Sequence, residues 1–135
     1  MIRAVIDTNV LFEGLSYRGA PGRILDAWAE RRFVPCVSTA LALEVEEVLA
    51  SRFSATRRPT VLAALTALLG RAEYIPVLSR VRPLSHDPDD DFVIECAFNA
   101  DALLVTQNLR DLKVAQTVLG IPVLNATAFL TRLSE

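Results

Sequence analysis

Five short runs of aliphatic and β-branched residues recur along the chain: "IRAVID" (2–7), "FVPCV" (33–37), "EYIPV" (73–77), "ALLVT" (102–106) and "IPVL" (121–124). Between them the apolar residues take up helical spacing. Ile24, Leu25 and Trp28 mark one helix within "GAPGRILDAWAERR". Leu41, Val45, Val48 and Leu49 mark another within "TALALEVEEVLASRF", which Ser38 is placed to cap. Val61, Leu62, Leu65, Leu68 and Leu69 mark a third from about residue 58 to 70, with Pro59 tolerated in its first turn. Further helices are expected over 89–99 and 111–119, and a last one closes the chain. Buried runs alternating with amphipathic helices dictate an α/β domain with a parallel sheet covered on both faces. The proline in "EYIPV" removes a ladder donor and predicts an edge strand. The sequence shows no repeat, linker or low-complexity stretch, so residues 1–135 read as a single domain.

Sheets of this type bind ligands beyond the carboxyl ends of their strands, where loops and helix starts converge. The strand assignments alone place Asp7 and the segment Thr106–Asn108 there. Composition narrows the chemistry. No apolar stretch reaches the ~18–20 residues needed to span a bilayer. The chain starts directly on a patterned strand, without the features of a signal peptide. Cys36 and Cys96 lie in apolar runs and read as buried free thiols of a cytoplasmic protein. A net charge of −2 argues against a generic nucleic-acid binder, yet 13 of the 14 basic residues are arginine. The planar guanidinium fork suits phosphate, although each arginine taken singly also fits a solvated surface.

The acidic residues separate geometrically, because each helical residue turns about 100°. Glu44 falls about 40° from Val48 and about 60° from Leu41, so it borders a buried stripe, whereas Glu46 and Glu47 point away. In "DPDDDFVIECA" (87–97), a helix starting near Asp89 turns Asp90 inward between Val93, Ile94 and Ala97. Asp89 and Asp91 flank it, and Asp87 or Asp89 is placed to cap the helix. A carboxylate aimed along a core face costs several kcal/mol unless cations or donors meet it. A helix N-terminus offsets only about 0.3–1 kcal/mol of this. A calcium loop counted from Asp87 fails, since Phe92 and Phe98 occupy the positions that need glycine and glutamate. Asp7, Glu44 and Asp90 therefore remain as hard oxygen donors suited to Mg²⁺ or Mn²⁺. His86 stands alone and reads as an ordinary loop residue.

Four segments in order, "AVIDTNVLF", "VSTALALEVEEVL", "DPDDDFVIECAFNADALLVTQNLRDL" and "GIPVLNATAFL", resemble the PIN-domain ribonucleases, including the VapC-type toxins of bacterial toxin–antitoxin systems. The likeness spans nearly the whole chain. It implies a Rossmann-like three-layer α/β/α fold around a mostly parallel five-stranded sheet. It implies hydrolysis of RNA phosphodiester bonds with one or two Mg²⁺ or Mn²⁺ ions, an antitoxin partner and a homodimer, with no membrane. Carried over by residue, the family's acids fall on Asp7, Glu44 and Asp90, with Asp91 the runner-up for the third. Thr106 matches the residue after the fourth strand, and Thr106 and Asn108 would together position the nucleophile. Asn108 departs from the acid found there in many members and cannot supply its charge. Asp111 could substitute through a water, or cap the next helix. Thr8 and Asn9 would orient Asp7 or a water, and Arg18, Arg23, Arg57, Arg58 and Arg110 are candidates to contact RNA.

Two other readings use similar residues. A phospho-receiver module needs an acidic pair after the first strand and a lysine after the last; Asp7 stands alone and Lys113 lies within a helix. A PIN fold without catalysis, binding RNA or a protein, is suggested by Asn108 and opposed by the intact Asp7, Glu44 and Asp90.

Overall fold

The computed structural model describes residues 1–80 and 88–135, without the side chains of residues 88–90 and 111. His86, Asp87 and Arg82 lie outside the described residues, as do the side chains of Asp89, Asp90 and Asp111. Five strands, β1 (Arg3–Ile6), β2 (Val34–Val37), β3 (Glu73–Tyr74), β4 (Leu103–Val105) and β5 (Val123–Leu124), form one sheet in the order β3-β2-β1-β4-β5. Every pairing is parallel. Among the described residues, seven helices accompany them: α1 (Thr8–Ser16), α2 (Gly19–Ala29), α3 (Thr39–Arg52), α4 (Arg58–Leu69), α5 (Pro88–Ala100), α6 (Leu109–Leu119) and α7 (Ala126–Leu133). The expected three-layer α/β fold is thus the observed one, and β3 is the edge strand its proline predicted.

Helix packing divides into two groups. α2 touches α1, α4 and α7, whereas α5 lies across β1, β2 and β4 and meets α6. α3 reaches α1, α4 and α5 and so links the groups. Buried aromatic rings fasten the first group: Phe33 meets Trp28 edge-on at 6.2 Å and Phe129 at 5.1 Å. Trp28 Nε1 donates to the Leu68 carbonyl at 2.8 Å, which satisfies its one polar atom.

Three local readings need correction. α1 was not expected as a helix. Thr8, Asn9, Gly14 and Ser16 are weak helix formers, but Val10, Leu11 and Gly14 are buried against the rest of the fold. α6 starts at Leu109 with Asn108 in the N-cap position, so Asp111 lies inside the helix and does not cap it. α5 starts at Pro88, which puts Asp89 inside the helix as well and not at its cap position.

Candidate functional site

In a sheet ordered β3-β2-β1-β4-β5 the chain moves one way from β1 to β3, then crosses back to β4. The turning point lies between β1 and β4, and ligands of open α/β sheets bind in the crevice beyond that point. The register pairs Ile6 with Val105 at the carboxyl ends of these two strands. The next residues are Asp7 and Thr106. Asp7 N donates to the Val105 carbonyl at 2.9 Å, and Thr106 N donates to the Leu124 carbonyl at 2.9 Å. Both backbones are therefore fixed by extensions of the sheet ladder, not by loop conformation. On the other side of β1, Ser38 follows the end of β2, so Ser38, Asp7 and Thr106 terminate three neighbouring strands.

The Asp7 side chain is 3% exposed and that of Thr106 is fully buried. Thr106 Oγ1 donates to Asp7 Oδ2 at 2.7 Å and accepts the Asn108 backbone N–H at 2.9 Å. The hydroxyl's proton is thereby committed to the carboxylate, which makes Thr106 a positioning residue for Asp7. Asp7 is also the N-cap residue of α1, and its carbonyl accepts from Val10 N at 3.0 Å. A negative group there is favoured by the helix dipole.

Ser38 Oγ accepts from Leu41 N at 3.1 Å, the cap expected for α3. This fixes the start of α3 and hence the bearing of Glu44 six residues on. Leu41, Val45 and Leu49 are buried, Glu44 is half-buried beside them, and Glu46 and Glu47 are exposed. Glu44 thus borders the buried stripe of α3, as its helical position predicts. α5 packs against β1 and α3 and ends at Ala100, just before β4 begins, so its first turn lies toward the carboxyl ends of the strands. Two carboxylates near that turn, Asp91 and Glu95, are each only 4% exposed. Glu95 was missed in the sequence. Its spacing of four from Asp91 was the available signal, since such pairs share a helix face.

Among the described residues, no three His, Cys, Asp or Glu side chains stand close enough together to hold a metal ion. The described donors are nonetheless of the right chemistry for a hard divalent cation. Asp7 and Glu44 offer carboxylate oxygens, and neither cysteine is suited to join them. Burial pushes the Cys36 thiol up to about 11 and the Cys96 thiol up to about 12, so both stay protonated.

The orienting and basic residues fall in different settings. Thr8 is half-buried at the first position of α1, and Asn9 is exposed, its Oδ1 accepting from Arg52 Nη1 at 2.9 Å. Arg18 is held by Asp26, donating to both carboxylate oxygens at 2.6–2.7 Å. Arg23 lines a cleft between α2 and α7 with Arg32 and Thr131. Arg57 is exposed and stacked over Phe53, whereas Arg58 is half-buried and donates to the Phe53 carbonyl at 3.2 Å. Arg110 is exposed in the first turn of α6, two residues after Asn108.

Comparison with known proteins fits this geometry. No curated protein matches. Among solved structures, the complex of VapBC2 from Rickettsia felis bound to a promoter DNA fragment contains a chain similar in fold. It has a TM-score of 0.66 and 15% identity, over 92% of this chain and 98% of that one. DNA-bound VapBC from Salmonella typhimurium gives a TM-score of 0.64 and 16% identity, over 93% of this chain and 99% of that one. The family model described as PIN domain matches residues 3–110, which include β1 through β4, Asp7, Glu44 and Thr106. The chain belongs to the PIN-domain family.

Proposed function

We propose that the protein is a Mg²⁺- or Mn²⁺-dependent endoribonuclease and the toxin of a bacterial toxin–antitoxin pair. The observation that carries this reading is the buried Asp7 carboxylate at the turning point of the sheet, held by the Thr106 hydroxyl at 2.7 Å. A buried carboxylate fixed on a strand end is costly to desolvate, and a cation would repay that cost. Asp7, Glu44 and Asp90 would hold the ion, and Asp111 could add to them through a water in place of the acid that Asn108 lacks. Asp91 is the further candidate at the start of α5. When bound, such an ion lowers the pKa of a coordinated water and stabilises charge on the phosphate. The chain's own share is to fix Asp7 through the β1–β4 ladder and Thr106, and to aim Glu44 through the Ser38 cap. Thr106 is occupied by Asp7 and Asn108 N–H, so its role is to position the carboxylate.

The toxin assignment rests on membership of the PIN-domain family and on the fold shared with chains from two VapBC complexes. With it come an antitoxin partner, a homodimer and a cytoplasmic setting. Among the described residues no helix is long and apolar enough to cross a membrane. Asn108 favours one other reading, a PIN module that binds RNA or a protein without cutting, because an amide cannot supply the charge of a fourth acid.

The test is cleavage of a mixed single-stranded RNA by purified protein in Mg²⁺, Mn²⁺ or EDTA, beside Asp7→Asn. Metal-dependent cutting that falls at least about 1,000-fold in the variant is the expected result, since the metal-holding charge is lost. Equal cutting by both proteins would refute the assigned site. Binding of RNA without cutting in any metal would favour the silent module.

A further inference from the structure

The acidic site repels the substrate it is proposed to cut, so some cationic surface must hold the RNA strand. Several of the described arginines are held by acidic or carbonyl groups. Arg18 is ion-paired with Asp26, Arg3 with Glu73, and Arg71 donates to the Ala29 carbonyl. Arg52 and Arg57 are instead mounted over aromatic rings. Both are exposed, and among the described residues neither forms an ion pair.

Their placement is specific. Arg52, in the last turn of α3, lies over the Phe12 ring at 5.1 Å and donates to Asn9 Oδ1 at 2.9 Å. Arg57, just before α4, lies over the Phe53 ring at 5.1 Å and reaches toward the Leu15 carbonyl at 3.5 Å. Phe12 and Phe53 are themselves in contact, with centroids 5.1 Å apart. Two guanidinium groups are thus mounted on one aromatic pair that joins α1 to the end of α3. Asn9, which holds Arg52, is two residues from Asp7 and in the first turn of the same helix. A guanidinium stacked on a ring loses less rotamer freedom on binding and keeps its N–H edge turned outward for an anion.

We infer that Arg52 and Arg57, carried by the Phe12–Phe53 pair, form a track for the phosphate backbone of single-stranded RNA, leading along α1 to Asp7. The inference rests on the ribonuclease reading and adds the residues that bind its substrate. Two cations spaced along one flank suit a chain of repeated phosphates better than a single anion. Asn9 acts here as a positioning residue for Arg52.

The test is fluorescence anisotropy with a labelled oligouridine in EDTA across a salt series, for wild type, Arg52→Gln, Arg57→Gln and the double variant. Arg132→Gln on α7 serves as the control for loss of one surface charge. Each track variant is expected to weaken binding about fivefold. Each should also reduce the slope of log K against log salt by about 0.7, the value for one single-strand phosphate contact. Arg52→Lys keeps the charge without the fork, so it should retain the slope and bind more weakly than wild type. The control is expected to change affinity less than about twofold. Track variants that behave like the control, in a wild type that binds and cuts RNA, overturn the track and leave the nuclease standing. A wild type that neither binds nor cuts RNA overturns both. Arginine-dependent binding of polyglutamate with arginine-independent binding of RNA would reassign the surface to an acidic polypeptide.

Discussion

Thr106 Oγ1 stands between Asp7 Oδ2, to which it donates at 2.7 Å, and the Asn108 N–H, which it accepts at 2.9 Å. One hydroxyl therefore couples the carboxylate at the end of β1 to the turn that starts α6. Thr106→Val keeps the shape and removes both bonds. The variant should lose about 1–3 kcal/mol of stability, because a buried N–H and a carboxylate each lose a partner. Its Mn²⁺ affinity should fall about 10- to 100-fold, the usual effect of removing a group that orients a metal ligand. Urea unfolding and titration calorimetry read the two effects, and Thr106→Ser should restore most of each. Unchanged Mn²⁺ affinity in Thr106→Val would mean that Asp7 is not a ligand.

Asn108 occupies the N-cap position of α6 beside this hydroxyl. Replacing it with aspartate adds a hard anionic oxygen donor without adding bulk. Asn108→Asp is expected to raise Mg²⁺ affinity about fivefold or more, since affinity at such sites follows ligand charge. A calorimetric titration that matches wild type would place residue 108 away from the ion.

Gly14 on α1 packs closely against α2. A Cβ there would lie 2.7 Å from Leu25 Cδ1 and 3.0 Å from the Pro21 carbonyl oxygen. Gly14→Ala gains up to about 1 kcal/mol of helix propensity. Overpacking of a buried contact costs about 1–3 kcal/mol, so the net change should be destabilising. A chemical denaturation midpoint at or above that of wild type would show that the two helices part easily.

The thiols give a dependence on alkaline pH. Burial raises Cys36 to about 11 and Cys96 to about 12, from an ordinary thiol value of 9.0. A raised folded-state value means that the native protein binds the proton more tightly than the unfolded chain does. The corresponding stability is fully present below about pH 8.5–9 and is lost as pH rises through 11 to 12. Unfolding free energy should thus decline from about pH 9 upward, and the decline should shrink in a Cys36→Ala, Cys96→Ala protein. At pH 8 neither thiol of the native protein should react with a disulfide reagent, whereas both should react in denaturant. Rapid labelling without denaturant would contradict the burial of both.

The residues themselves determined the main lines of this fold. Buried runs such as "ALLVT" and the 3.6-residue spacing of Leu41, Val45 and Leu49 follow from side chains that must leave water, and this requirement acts along the chain. The Ser38 cap and the inward bearing of Glu44 were legible for the same reason, because a helix fixes the angle between residues a few positions apart. α1 was not legible, because its helix formers are weak and its burial comes from α2 and α3. For Glu95 the spacing from Asp91 shows a shared helix face, but that this face is buried depends on the long-range packing of α5 against β1, β2 and β4.

The sequence alone determined that Asp7 ends a strand and that Thr106 ends another. Only the tertiary structure decided that they meet. A strand order of β3-β2-β1-β4-β5 sets residues 99 positions apart in chain beside one another, and hydrogen bonding between β1 and β4 fixes the distance between them. The same holds for Arg52. Along the chain it is one arginine among thirteen, and it becomes distinct because the α1–α3 packing brings Phe12 and Asn9 under its guanidinium. Local propensity acts over a few residues, whereas the charge and geometry of a site arise from contacts that the chain makes only once folded.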